Sequence, residues 1–244
     1  MELVIQNTKS GLGSNSQCWA GIFGRAMRCE LLIALSVFIC GLCTAQEPYG
    51  GAIGGIATLS GDAGSRSSAQ GLSLSSYSPS NGGALDVFVG AHLHNYFSVQ
   101  ANYIWNRNDL ILNSASSNST TFYQQARNSS QHAMIFDFLL YFRRRNSRIR
   151  PYLGTGGGVT HLASREERLV AFGGTPVLPP ASFSSTRPVF RSHVGMDIRV
   201  FRKVDFRYSF SELIGKNDIS KRLSPPAPRG LANFQNLFGF VVRF

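Results

Sequence analysis

Beyond residue 45 the sequence has no cysteine, few charged residues and no long apolar run. All four cysteines precede residue 46, which excludes a disulfide framework in the rest of the chain. Charged residues make up 15% of the chain, against a usual quarter, which is poor cover for a soluble surface. No stretch after residue 46 reaches 18 apolar residues, so no transmembrane helix is predicted. The hydrophobic share of 43% excludes a disordered chain.

The formal net charge of +11 comes mainly from arginine, and part of it lies in RRRNSRIR (143–150). A basic chain of this kind suggests nucleic acid or an anionic membrane as a partner. The sequence has no helix-turn-helix pattern, zinc-finger spacing or aromatic RNA-binding motif. We therefore expect no nucleic-acid partner, and we interpret the run as a solvated turn.

The N-terminal region has the pattern of an export signal. Arg25 and Arg28 precede an apolar run from Leu31 to Cys43, and Cys43-Thr44-Ala45 is a small-x-small cleavage site. The run is shorter than the roughly 20 residues that span a bilayer. We predict a signal peptide at 27–45 cleaved after Ala45, an over-extended N-terminus at 1–26, and an exported domain at 46–244.

The exported part is organised as eight short alternating runs rather than helices. Apolar and polar residues alternate with a period of two, which predicts strands with two different faces. The connections follow the order long, short, long: 60–83, 93–95, 106–132, 143–149, 163–187, 201–202 and 214–231. Four long, serine-rich connections are unusual in a compact soluble domain. This rhythm, with runs of about ten residues, is typical of an up-and-down outer-membrane barrel with short periplasmic turns.

The last run, NLFGFVVRF (236–244), ends on a bare phenylalanine. Phe238, Phe240 and Phe244 share one face, which we predict is turned to lipid. Together with the signal peptide and the eight runs, this ending resembles an OmpA-type eight-stranded outer-membrane β-barrel domain, over residues 46–244. The resemblance implies an all-β, antiparallel transmembrane barrel in the cell outer membrane. It also implies that Phe240 and Phe244 form the C-terminal signal read by the barrel-assembly machinery.

If the apolar face meets lipid, the polar face lines the lumen. The predicted lumen network consists of Asp86, Asp137, Arg191, Asp197, Arg199, Asp205, Arg207 and Arg243. Acids and arginines in a narrow interior should pair, because an isolated buried ion is very costly. Arg199 and Asp205 flank a short turn and should be neighbours. A gated ion path is the alternative, but an eight-stranded barrel is barely wide enough for its own side chains, which favours a packed plug.

Two further alternatives concern a ligand or a reaction. A lipid-A-modifying enzyme would need His161, Ser164 and Glu166 to converge at the outer rim, and no motif ties them together. A soluble lipocalin-like barrel would bury its aromatic residues inside and have shorter loops. GTGGG (154–158) lacks the closing residues of a phosphate loop. We expect neither an enzyme nor a cofactor or metal.

The expected role is structural or adhesive, carried by four long extracellular loops of a monomer. The expected partners are outer-membrane lipid, lipopolysaccharide and the barrel-assembly machinery. One group of cations falls in a periplasmic turn near headgroups: Arg143, Arg144, Arg145 and Arg148. Another falls in the last outer loop, where lipopolysaccharide phosphates would lie: Lys216, Lys221, Arg222 and Arg229. Arginine suits phosphate because its fork binds two oxygens.

Overall fold

The structure, a computed structural model, describes residues 47–68, 71–116, 121–172, 178–227 and 229–244. The predicted signal peptide, its cleavage after Ala45 and residues 1–26 lie outside the described residues.

The described chain is almost entirely antiparallel sheet. The strands are β1 Glu47–Leu59, β2 Asp62–Ser68, β3 Gly71–Pro79, β4 Gly82–His92, β5 Phe97–Ser116, β6 Thr121–Tyr141, β7 Ile149–Ala171, β8 Ser182–Arg199, β9 Val204–Lys216 and β10 Gly230–Arg243. A single 3-10 turn, Ser220–Arg222, lies between the last two strands. Among the described residues, no helix is long and apolar enough to span a membrane.

Eight of these strands close into a ring. Going round it, the order is β1, β4, β5, β6, β7, β8, β9 and β10, and β10 pairs back to β1 from Tyr49↔Arg243 to Leu59↔Asn233. Every pairing is antiparallel, so the fold is the predicted eight-stranded up-and-down barrel. Closure leaves no strand edge in the barrel wall, which a bilayer requires because lipid offers no hydrogen bonds.

The two faces of the wall have opposite chemistry. Outside, Met134, Phe136 and Phe138 follow one another along β6, each between 44 and 63% exposed. On the closing strand, Phe238 and Phe240 are more than half exposed on the same outer side, whereas Leu237 and Val241 are buried inside. The inner face carries most of the buried charges and amides. An apolar exterior around a polar interior is the arrangement of a barrel in lipid.

The prediction of four long structureless loops was wrong for three of them. Residues 60–83 contain the β2–β3 hairpin, and most of 106–132 belongs to β5 and β6. Residues 163–171 likewise extend β7. Outside the membrane a strand needs no apolar face, so its serine and asparagine residues give no strong alternation to detect. In the fourth connection, the described residues 217–227 and 229 are mainly loop, apart from the 3-10 turn.

These extensions form one sheet above the barrel, which we call the extracellular sheet. It consists of β2, β3 and the outer parts of β5, β6 and β7, that is residues 62–68, 71–79, 107–116, 121–131 and 163–171. β3 takes over from β4 as the partner of β5, from Leu110 to Ser116.

The segment 217–227 folds over the barrel mouth and against this sheet. Its Ile219 and Leu223 are buried in an apolar cluster with Tyr77 and Leu112. Three hydrogen bonds hold it there: Asn217 Nδ2 to the Tyr77 hydroxyl at 2.8 Å, Ser220 Oγ to Asp62 Oδ2 at 2.6 Å, and Ser114 Oγ to the Ser224 carbonyl at 2.7 Å. The extracellular end of the barrel is therefore covered.

Candidate functional site

A buried arginine joins three strands in the middle of the lumen. Arg191 on β8 places Nη2 2.9 Å from Asp86 Oδ2 on β4, and Nη1 2.9 Å from Asp137 Oδ2 on β6. All three side chains are at most 1% exposed. Asn102 Nδ2 donates to the same Asp137 oxygen at 2.9 Å. His193 Nε2 lies 3.4 Å from it. Arg191 thus binds one carboxylate from the opposite wall of the ring, on β4, and a second from β6, which only β7 separates from β8.

A second arginine fills the lumen nearer the periplasmic end. Arg207 binds Asp197 with both arms of its fork, Nε to Oδ1 at 2.6 Å and Nη2 to Oδ2 at 2.8 Å. Nη2 also donates to the Tyr141 hydroxyl at 3.0 Å, and Nη1 donates to Gln100 Oε1 at 2.7 Å. Its guanidinium lies over the Phe88 ring, 4.8 Å from the centroid. Aromatic faces around a fully bonded guanidinium stabilise it away from water.

Two glycines of β7 make room for this polar interior. The even-numbered positions of GTGGG face inward. A Cβ at Gly154 would overlap the His193 ring, and a Cβ at Gly156 would overlap both Asp137 Oδ1 and the Phe136 carbonyl oxygen. The outward Gly157 meets nothing closer than 3.8 Å. The inward glycines are therefore what allows His193 and Asp137 to fill the lumen beside β7.

The remaining members of the predicted network lie at the periplasmic end. Arg243 Nη2 is 3.2 Å from Asp205 Oδ1. Arg199 is opposite Asp205 in the strand register, but its Nε is 3.8 Å from that carboxylate and its side chain is 28% exposed. Its fork instead donates to the Arg145 carbonyl at 2.7 Å. Of the eight predicted residues, Arg199 is the one whose side chain leaves the lumen, and it binds the turn that contains Arg145.

Sequence reasoning did not identify two buried arginines. Arg150 lies in the lumen with its guanidinium 3.9 Å from the Tyr141 ring centroid. Arg127, on the extracellular part of β6, is fully buried and donates to Ser164 Oγ at 3.0 Å, Gln125 Oε1 at 2.7 Å and the Pro180 carbonyl at 2.7 Å. Both residues occupy the inward parity of their strands. That parity was a usable signal, but Arg150 was counted with the turn and Arg127 with a loop.

The residues proposed for an enzymatic site do not meet. His161 is exposed on the outer face, where Nδ1 lies 2.8 Å from Thr186 Oγ1. Ser164 is buried on the inner face and hydrogen-bonds Ser129 Oγ at 2.9 Å. Glu166 accepts from Gln125 Nε2 at 2.5 Å. Since His161 and Ser164 lie on opposite faces of the same sheet, they cannot act as a base and nucleophile pair. Within the described ranges, no group of three or more His, Cys, Asp or Glu could hold a metal ion.

The charged lumen and the apolar outer wall together indicate the surroundings of the barrel. Ion pairs inside and phenylalanines outside, on a closed antiparallel ring, are the reverse of a soluble barrel and match a barrel surrounded by lipid. The protein is an eight-stranded transmembrane β-barrel of the outer membrane.

Comparison with known proteins found only solved structures of low similarity. No protein-family model matches the chain, and no curated protein matches it. Neisserial surface protein A is 12% identical, with a TM-score of 0.45 over 81% of this chain and 97% of that one. Ail of Yersinia pestis is 13% identical, with a TM-score of 0.42 over 81% and 99%. OprG of Pseudomonas aeruginosa is 11% identical, with a TM-score of 0.49 over 82% and 97%.

Proposed function

We propose that this outer-membrane barrel is a surface-binding, adhesive protein and that its extracellular sheet is the binding platform. The observation that carries the proposal is strand length. β5, β6 and β7 have 20, 21 and 23 residues. A tilted strand needs about 9–11 residues to cross the hydrocarbon. About half of each of these strands therefore stands outside the membrane, which a purely structural barrel would not need.

The sheet also has two edges that no described strand covers. β2 pairs only with β3, and β7 beyond Arg165 pairs only with β6. Unpaired edges expose a row of backbone donors and acceptors, which are available to a partner. Rigid strands, rather than mobile loops, hold these edges in place.

Charge indicates the kind of partner. The exposed cations of the extracellular part are Arg66, Arg107, Arg165, Arg168, Arg187, Lys216, Lys221, Arg222 and Arg229. The extracellular acids are fewer, and two of them, Asp62 and Asp218, are buried against their own partners. An excess of exposed arginine and lysine attracts anionic polymers. We propose that the platform binds an anionic, sulfated or phosphorylated surface.

The filled lumen does not favour the channel alternative. Arg191 closes one level of the lumen through its ion pair with Asp86 on the opposite wall. Arg207 closes a second level, because it pairs with Asp197 on the neighbouring strand and donates to Gln100 on the opposite wall. The segment 217–227 covers the mouth. Displacing either arginine would leave buried carboxylates without a counter-ion. We expect planar bilayers containing the folded protein to show no stepwise conductance, and regular single-channel steps would contradict the plugged state.

The proposal also covers the assembly signal, the family, the oligomeric state and the surrounding lipid. We propose that Phe240 and Phe244, 55 and 70% exposed at the end of the closing strand, form the signal that the barrel-assembly machinery reads. We propose an OmpA-type affiliation, a monomer, and lipopolysaccharide as the surrounding lipid. Lys216, Lys221, Arg222 and Arg229 are exposed near the barrel mouth, as binding to lipopolysaccharide phosphates would require. We propose no nucleic-acid partner and no enzymatic activity.

Adhesion of cells that display the full chain tests the proposal. Heparin-coated wells serve as the anionic probe, and uncoated wells as the blank. Replacing residues 108–128 by a short turn should abolish adhesion. The variant should still reach the cell surface at an equal level and still show the heat-dependent shift in gel mobility of a folded barrel. Soluble heparin should compete with adhesion of the intact protein. Equal adhesion by both forms, or adhesion that heparin does not reduce, would refute the role of the sheet.

A further inference from the structure

The outer face of the barrel changes from apolar to polar at one row of aromatic and histidine residues. Trp105 on β5, His132 on β6 and His161 on β7 are opposite one another in the register and all face outward. The Tyr103 hydroxyl, one pleat below, lies 2.7 Å from His132 Nδ1. Further towards the periplasm, the outer face of β6 continues with the exposed apolar residues Met134, Phe136 and Phe138. Amphipathic rings collect at the level of the headgroups, so this row marks the outer membrane interface.

A cleft of about 580 Å³ opens directly above that row. It is lined by Trp105, Arg107, Asn128, Ser130, His132, Ala163, Arg165, Glu166 and Glu167. Arg107 on β5 and Arg165 on β7 stand on either side, and the small residues Ser130 and Ala163 form the floor. β6 lies between β5 and β7, and the two arginines are staggered by two residues, because Arg107 is opposite Ser130 and Arg165 is opposite Asn128. Their backbones are therefore roughly 12 Å apart, a distance from which two long side chains can converge on one tetrahedral anion.

The two arginines are not engaged elsewhere. Neither guanidinium makes an ion pair or side-chain hydrogen bond with any residue in the described part of the chain, and both are exposed. The nearby acids are partly occupied: Asp109 accepts from Asn128 Nδ2 at 2.9 Å, and Glu166 accepts from Gln125. Glu167 remains, exposed at the position where the β6–β7 register shifts. The cleft therefore offers two free cations and one free anion at the level of the headgroups.

We propose that this cleft binds the phosphorylated headgroup of an outer-leaflet lipid. The phosphate lies between Arg107 and Arg165, whose forks match its oxygens. Trp105 and His132 meet the region where headgroup and acyl chains join, and the chains lie along the apolar belt below. Glu167 favours a headgroup that also has a cationic group or brings a divalent cation with it. The site is separate from the partner of the extracellular sheet, and it depends only on the placement of the barrel in the membrane.

The sequence supplies a reporter inside the cleft. The chain has two tryptophans, Trp19 and Trp105. In a full-length Trp19→Phe background, the emission of Trp105 reports on the cleft alone. The folded protein in detergent would be titrated with diphosphoryl lipid A, with phosphatidylglycerol and with uncharged diacylglycerol. A saturable emission change is expected for the phosphorylated lipids and none for diacylglycerol.

Charge variants decide whether the two arginines are the binding groups. Arg107→Gln with Arg165→Gln should weaken the apparent affinity at least tenfold. The matched control, Arg202→Gln with Lys203→Gln, removes two exposed cations from the periplasmic turn between β8 and β9 and should leave affinity unchanged. Heat-modifiability of every variant checks that it has folded. Preference for lipid A identifies lipopolysaccharide as the source, and equal binding of phosphatidylglycerol identifies the phosphodiester alone. An equal response to diacylglycerol, or equal loss in both double variants, would overturn the proposal.

Discussion

The barrel interior and the extracellular sheet use the same side chains under different conditions. Arg191 and Arg187 are both on β8 and both bind aspartate at 2.9 Å. Arg191 is 1% exposed and its partner Asp86 comes from across the lumen, whereas Arg187 is 43% exposed and its partner is Asp218 of the neighbouring loop. Water screens the outer pair and is excluded from the inner one. Inside, an ion pair therefore determines whether the barrel is filled, and outside it only positions a loop.

The largest effect is expected from the inner member of this comparison. Arg191→Met leaves Asp86 and Asp137 buried without a counter-ion, and should lower the free energy of unfolding by about 3–5 kcal/mol. Arg187→Met should change it little. Urea unfolding in lipid vesicles measures both. Adding Asp86→Asn and Asp137→Asn to Arg191→Met should recover much of the loss, because the unpaired charges are then gone. No recovery would mean that packing, and not charge, is responsible.

A second test compares the two faces of the barrel wall at adjacent glycines. Gly156→Ala forces a methyl group against Asp137 and the Phe136 carbonyl, and should destabilise the barrel by about 1–3 kcal/mol. Gly157→Ala points outward, where the nearest atom is 3.8 Å away, and should be close to neutral. The same urea titration compares them. Equal effects would show that the lumen can rearrange around Asp137.

Arg127 tests whether the extracellular sheet can change without the barrel. Arg127→Gln removes the hydrogen bonds to the Pro180 and Ala181 carbonyls, at 2.7 and 3.4 Å. Amide hydrogen exchange around residues 178–183 should become several-fold faster, while the urea midpoint of the barrel stays the same. Ser130→Ala, an outward change on the same strand, serves as the control. A shift in the barrel midpoint would show that the two regions unfold together.

The smallest effect concerns pH at the outer loop. Burial raises the pKa of Asp218, but hydrogen bonds from Arg187 and Ser185 outweigh it and hold that pKa below its usual value. A lowered pKa stabilises the folded state above the ordinary carboxylate pKa near 4, and this contribution is lost as the pH falls through the folded value. Local opening at residues 219–223, measured by amide exchange corrected for its intrinsic pH dependence, should therefore be constant from neutral pH to about pH 5 and rise only under more acidic conditions. Asp218→Asn should abolish that rise.

The sequence predicted the part of the fold that lipid constrains. Alternation and spacing predicted all eight barrel strands, because each must present an apolar face to the membrane and a polar face to the lumen. The faces of the glycine-rich runs 48–59 and 150–162 were not readable from the sequence. The β2–β3 hairpin and the outer parts of β5–β7 are held by backbone hydrogen bonds and neighbouring strands, which leave no periodic pattern in runs such as NSASSNS (113–119). Apolar–polar alternation is therefore strong where a strand lies between lipid and lumen, and weak where a strand lies outside the membrane.

The candidate residues follow the same rule. Asp86, Asp137 and Arg191 were identifiable because a charge alternating with apolar residues stands out. Which carboxylates share which arginine depends on how the ring closes across the lumen, and that is not readable from one strand. Arg150 and Arg127 were not predicted to be buried, because Arg150 follows a polar stretch and Arg127 lies within one. The cleft between Arg107 and Arg165 exists only when three strands are brought side by side.

Closure of the barrel is all-or-none, because the wall is sealed only when the last strand pairs with the first. Tyr49 is opposite Arg243, so the wall is sealed by residues from the two extremes of the described chain. A growing or inserting chain that lacks its final strand has an open seam whose backbone groups lipid cannot satisfy. The last fourteen-residue strand, Gly230–Arg243, is thus a checkpoint: until it joins β1, the other seven strands form an open sheet and not yet a pore-shaped wall.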